Sequence, residues 1–117
     1  MIRLAVMALA LAAPAAAQEA RSAPGAVVRW LDKVAGVTAD LEIGRGQVVQ
    51  QGRLTILLDD CRYPAENPAA DAWAHLTIRD TRLTTPVFSG WMIASAPGLS
   101  ALDHARYDVW LLRCTTE

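Results

Sequence analysis

Residues 72–79 read Ala-Trp-Ala-His-Leu-Thr-Ile-Arg, which sets Ala72, Ala74, Leu76 and Ile78 against Trp73, His75, Thr77 and Arg79. Strict alternation of this kind belongs to an extended chain, where successive side chains point to opposite faces. The same period recurs: Ala39, Leu41 and Ile43 alternate with Thr38, Asp40 and Glu42, and Leu54, Ile56 and Leu58 share one face. Helical periodicity is weak throughout. Val87 to Ala94 and Tyr107 to Cys114 are apolar on both faces, as expected of strands in the middle of a packed structure. With Val48-Val49 and the opening run Val27 to Val34, the chain predicts six to seven short strands.

Turn chemistry separates these runs. Gly44-Arg45-Gly46-Gln47 and Gln51-Gly52 are turn signals, and Pro64 and Pro68 force the stretch from Tyr63 to Pro68 into a loop. Thr84-Thr85-Pro86 and Ala96-Pro97-Gly98 are further loops. One segment has helical character: Ser100-Ala101-Leu102-Asp103 fits the capping-box pattern and predicts a short helical turn near residues 100–105. Many short strands with almost no helix define an all-β class, a small β-sandwich or barrel.

The apolar content, 53% of 117 residues, is concentrated at the N-terminus. Arg3 is followed by an uncharged apolar run from Leu4 to Ala13, then Pro14 and the small residues Ala15-Ala16-Ala17. A positive head, a short apolar body and an A-x-A site predict a secretory signal peptide over residues 1–17, cleaved near Ala17. The run is too short for a membrane span, which needs about 20 apolar residues, so no transmembrane segment is expected in the mature protein. Gln18 to Gly25 reads as a disordered lead-in, and a single domain is expected over residues 26–115. The formal net charge of −1 gives no basic surface for nucleic acid or anionic membrane.

Export to the periplasm decides how Cys61 and Cys114 are read. In an oxidising compartment a single pair predicts one disulfide with one connectivity, and the spacing lacks the C-x-x-C of a redox pair.

Candidate chemistry is sparse. His75 and His104 are the only histidines. A small hydrolase would have to use His104 with Ser95, Ser100 or Asp108, but the capping box accounts for Ser100 and Asp103 as structural residues. Asp59, Asp60, Glu66 and Asp71 flank the proline loop without a calcium-loop pattern, and Asp59 and Asp60 are expected on opposite faces of a strand. No nucleotide or zinc-hydrolase motif occurs, so neither cofactor nor metal is expected. Four tryptophans, Trp30, Trp73, Trp91 and Trp110, fall on four predicted strands. They build the core or form an aromatic platform, and the best candidate recognition face combines Trp73, His75, Thr77 and Arg79.

The run from Gly90-Trp91-Met92 through Leu99-Ser100-Ala101-Leu102-Asp103-His104 leads into Tyr107-Asp108-Val109-Trp110 and Cys114. With Leu31-Asp32-Lys33-Val34-Ala35-Gly36, Asp40-Leu41-Glu42-Ile43 and the Cys61 to Pro68 loop, it resembles a family of small exported alphaproteobacterial proteins carrying a domain of unknown function. The resemblance implies a secreted two-cysteine domain and transfers no activity, cofactor or catalytic residue. The residues thus lead to a non-enzymatic binding or envelope-assembly module whose partner is an envelope protein or a glycan. A His104 hydrolase and a carbohydrate-binding module using exposed tryptophan are the alternatives.

Overall fold

The computed structural model describes residues 19–116, so the expected signal peptide lies outside the described residues. Eight strands form: β1 (Ala20–Ser22), β2 (Gly25–Asp32), β3 (Val37–Gly44), β4 (Val48–Gln51), β5 (Leu54–Pro64), β6 (Trp73–Asp80), β7 (Phe88–Ile93) and β8 (Tyr107–Thr115). All pairings are antiparallel. In one sheet β5 pairs with β6, β6 with β7, and β1 and β4 share the other edge of β5. In the other, β2 lies between β3 and β8. The two sheets pack as an open sandwich rather than a closed barrel. Among the described residues no helix is long and apolar enough to cross a membrane.

The period-two pattern fixes which face of each strand is buried. Leu54, Ile56 and Leu58 of β5 and Ala74, Leu76 and Ile78 of β6 are fully buried, and meet Val28, Trp30, Val109 and Leu111 from the facing sheet. Each such aliphatic side chain contributes about 1.5–3 kcal/mol through its removal from water. Cys61 of β5 and Cys114 of β8 are joined by a disulfide, with Cα atoms 5.8 Å apart, so the covalent cross-link runs between the sheets. The β4–β5 turn uses Gly52 at φ +58, and a Cβ there would meet Tyr107 Oη at 2.9 Å and the Trp30 ring at 3.0 Å. Glycine is required at this position both by its dihedral and by the approach of two aromatic rings.

Four expectations are corrected. No helical turn forms at residues 100–105. Leu102 is buried in the core and the His104 ring captures the amides of Arg106 and Tyr107, which draws the chain into an extended path instead of a first helical turn. The segment read as a disordered lead-in contains β1: Ala20, Arg21 and Ser22 pair with Pro64, Tyr63 and Arg62, and Ala23 is buried. The β1 side chains stay exposed, and the segment is held by its backbone pairing with the end of β5. The strand count is eight rather than six to seven, the addition being β1. Finally, β7 and β8, expected as interior strands, lie at sheet edges.

Candidate functional site

Two polar clusters lie on different parts of the sandwich, and they differ in burial. At one end, six side chains close the space between the sheets. Arg106 meets Asp32 through Nε and Nη2, at 3.2 and 2.9 Å, while Asp32 Oδ1 also accepts the amides of Val34 and Ala35 at the β2–β3 turn. The Arg106 hydrogen bond, reinforced by those amides, holds the Asp32 carboxyl down at about 2. Asp80 accepts the Arg82 amide and His104 Nε2, both at 2.9 Å, and its carboxyl is likewise held below the usual range by the Arg82 amide first and His104 second. Arg53 and Arg106 both lie 5.4 Å from the Tyr107 ring centre, so the phenol is flanked by two guanidinium groups.

The geometry fixes the state of His104. Its Nδ1 accepts the amides of Arg106 and Tyr107 at 3.0 and 3.1 Å, so the proton of the neutral ring sits on Nε2 and is donated to Asp80. Both nitrogens are occupied by structural partners. Ser95, one serine considered for a triad, instead donates to Asp71 at 2.8 Å. This end of the molecule does the work of a cap on the core.

The outer face of the five-stranded sheet has a different character. Trp73, His75 and Thr77 are half-buried and Arg79 is exposed, all on the side of β6 opposite the buried Ala74, Leu76 and Ile78. Neighbouring strands complete the surface. His75 lies opposite Trp91 of β7, and the two rings meet edge to face with centroids 5.3 Å apart. Trp91 is 43% exposed, whereas Trp30 is buried in the core at 5%. From β5, Asp59 Oδ2 lies 2.7 Å from His75 Nδ1 and accepts the Thr77 hydroxyl at 2.9 Å. The carboxylate therefore sets the imidazole orientation and holds Nδ1. Among the described residues Nε2 has no hydrogen-bond partner.

Asp59 continues the outward set of Thr55 and Leu57 on β5, and the β5–β6 register shifts between Leu58 and Asp60 just beside it. A β-bulge adds one residue to the strand and re-aims the side chains around it. Asp60 then pairs opposite His75 and binds Arg62 and Ser22 on the same outer layer, so the two aspartates do not take opposite faces as expected. Spacing alone identifies the β6 residues. Trp91 and Asp59 become members of the site through cross-strand register, for which the sequence carries no local signal.

Among the described residues no group of three or more His, Cys, Asp or Glu side chains converges to hold a metal ion. The surface is instead an indole and an imidazole at right angles, with a carboxylate, a hydroxyl and a guanidinium around them. That combination stacks on a ring or covers an apolar side chain while satisfying nearby polar groups.

A family model described as an uncharacterized protein conserved in bacteria (DUF2155) matches residues 26–114. The chain is also similar to the uncharacterized protein RP359 of Rickettsia prowazekii (strain Madrid E), 24% identical over 87 residues. That alignment covers 72% of this chain and 56% of the relative, so the chain spans little more than half the relative's length. No solved structure matches the chain.

Proposed function

The chain belongs to the DUF2155 family, and from that premise we propose that it is an exported periplasmic binding module that recognises an envelope partner on the outer face of its five-stranded sheet. The observation that carries this reading is Trp91, a large apolar ring left 43% exposed beside an imidazole already oriented by Asp59. Fixing the geometry of a surface ring and imidazole before binding lowers the entropy that recognition costs. Export is supported by the signal-like run ending at Ala17 and by the Cys61–Cys114 disulfide, which suits an oxidising compartment. The role is binding rather than catalysis: His104 is consumed by backbone and Asp80 contacts, and the outer-face His75–Asp59 pair has a threonine, Thr77, already donating to the same carboxylate.

A photo-crosslinking residue at Thr55, at the margin of the face, tests this in cells. The crosslinked partner should be lost in Trp91→Ala and His75→Ala variants that retain the parental melting temperature. Undiminished crosslinking in both variants would refute the outer face as the site. The carbohydrate alternative rests on the same exposed indole, and it predicts saturable quenching of Trp91 fluorescence by cell-wall glycan fragments.

A further inference from the structure

The outer edge of β7 is built differently from the other sheet edges. β1 and β4 are only three and four residues long, β3 carries Asp40 and Glu42, and β8 carries Asp108 and Arg113. Short length and charge are the usual protections against edge-to-edge pairing. β7 reads Phe-Ser-Gly-Trp-Met-Ile, with no charge and no proline. Among the described residues it is hydrogen-bonded to one strand, β6.

The register shows which backbone groups face outward. Ala94, in line with β7, donates its amide to Ala72 at 2.9 Å, so the even-numbered positions of β7 address β6. In an antiparallel ladder the alternate residues turn their amides and carbonyls the other way. Ser89 and Trp91 therefore present both groups to the edge, while the Ile93 carbonyl accepts the Ala96 amide at 3.2 Å. Between them lies Gly90, whose glycine the protomer does not require. A Cβ there would meet the Phe88 ring no closer than 3.6 Å, an ordinary contact, and its φ is not positive. A glycine inside a strand weakens it and marks a place where another backbone comes close.

We propose that β7 pairs antiparallel with β7 of a second copy about a two-fold axis through Gly90, joining the two five-stranded sheets into one. This register is self-complementary at every position. Gly90 lies opposite Gly90 of the second copy, where the backbones of a non-hydrogen-bonded pair approach most closely. Ser89 lies opposite Trp91 on the outer layer, small against large, and Phe88 lies opposite Met92 on the inner layer. Ser89 and Trp91 exchange amide-to-carbonyl bonds with Trp91 and Ser89 of the second copy, four in all. An axis that relates antiparallel neighbours in one sheet is perpendicular to it. Both Trp91–His75 surfaces therefore emerge on the same side, presented as a pair to one partner. The pairing rests on the β7 edge alone and does not depend on what the outer face binds.

Sedimentation of the full mature chain should show a monomer–dimer equilibrium at high micromolar concentration. Ser89→Pro removes an outward amide without touching the bonds to β6, and Ser89→Lys places like charges on either side of the axis. Each should weaken dimerisation at least about tenfold, a difference of about 1.4 kcal/mol. Should the proline variant misfold, the exposed lysine variant still decides the matter. Gly90→Cys should give a covalent dimer on oxidation, because the two positions face each other, whereas Leu83→Cys, exposed but off the strand, should not. A wild-type chain that stays monomeric at all concentrations, or a dimer indifferent to both Ser89 variants, would overturn the pairing.

Discussion

His104 and Asp80 meet at 2.9 Å inside the end cap, with the imidazole proton pointed at the carboxylate and the opposite nitrogen accepting two backbone amides. Removing the ring leaves the part-buried amides of Arg106 and Tyr107 without this acceptor and takes one donor from the Asp80 carboxylate, which keeps the Arg82 amide. Leaving a polar group inside the fold without its hydrogen-bond partner costs about 1–3 kcal/mol per group. His104→Ala should therefore lose about 3 kcal/mol in urea unfolding. His75→Ala, at a half-exposed surface pair, should stay within about 1 kcal/mol of the parent.

The disulfide gives a prediction of similar size by another route. It closes a loop of 53 residues between β5 and β8. On the chain-entropy account this restricts the unfolded chain by about 4 kcal/mol. Cys61→Ala/Cys114→Ala should lose stability on that scale, and the oxidised wild type should show no titratable thiol after unfolding without reductant.

Acid should loosen the same end cap that His104 supports. Asp32 is held at about 2 by Arg106 and the turn amides, against 3.8 for an ordinary aspartate. A carboxyl lowered in the folded state contributes its full stabilisation above the unfolded value, and loses it as pH falls through the folded one. The window is therefore from about pH 4 down to about pH 2, and Asp80, shifted the same way, adds to it. Denaturant titrations across this range should show falling stability in the wild type and a shallower fall in Asp32→Asn, which starts less stable at neutral pH.

Gly52 tests the packing beneath that cap. Its positive φ and the 2.9 Å approach of Tyr107 Oη leave no room for a methyl group. Gly52→Ala should cost about 1–3 kcal/mol in unfolding measurements, with Gly98→Ala, where a Cβ meets nothing within 4 Å, as the neutral reference.

The contrast between these residues explains which parts of the molecule are legible in the sequence. Alternation at 54–58 and 72–79 is a local property, and it identified both the buried faces and the β6 half of the outer surface. Two cysteines leave one pairing to make, and Cys61–Cys114 is that pair. The capping-box pattern at 100–103 misled because a short sequence match carries no information about Leu102 being claimed by the core or His104 by the amides that follow it. Asp59 and Trp91 joined His75 through cross-strand register, which is settled by the fit of whole strands rather than by neighbours in sequence. The same holds for the edge position of β7. Its apolar composition reads as an interior strand, and only the topology shows that one side is bare.

The four tryptophans can now be separated by accessibility, which turns fluorescence into a direct test of the outer face. Trp30 stacks against Tyr107 at 5.4 Å within the core, Trp73 and Trp110 are half-buried, and Trp91 is 43% exposed. An ionic quencher such as iodide reaches rings in contact with water and is excluded from a packed interior. Trp91→Phe should therefore remove the largest iodide-accessible fraction, while Trp30→Phe leaves that fraction unchanged and lowers stability. The His75 edge contact adds a second signature. Asp59→Asn weakens the hold on His75, so the emission and quenching of Trp91 should shift although residue 59 does not touch the indole. If quenching is unchanged in Trp91→Phe, the ring is covered in solution, and both its exposure and the recognition face built on it are wrong. If it falls as expected in Trp91→Phe but Asp59→Asn has no effect, the indole stands alone and the carboxylate does not pre-order the site.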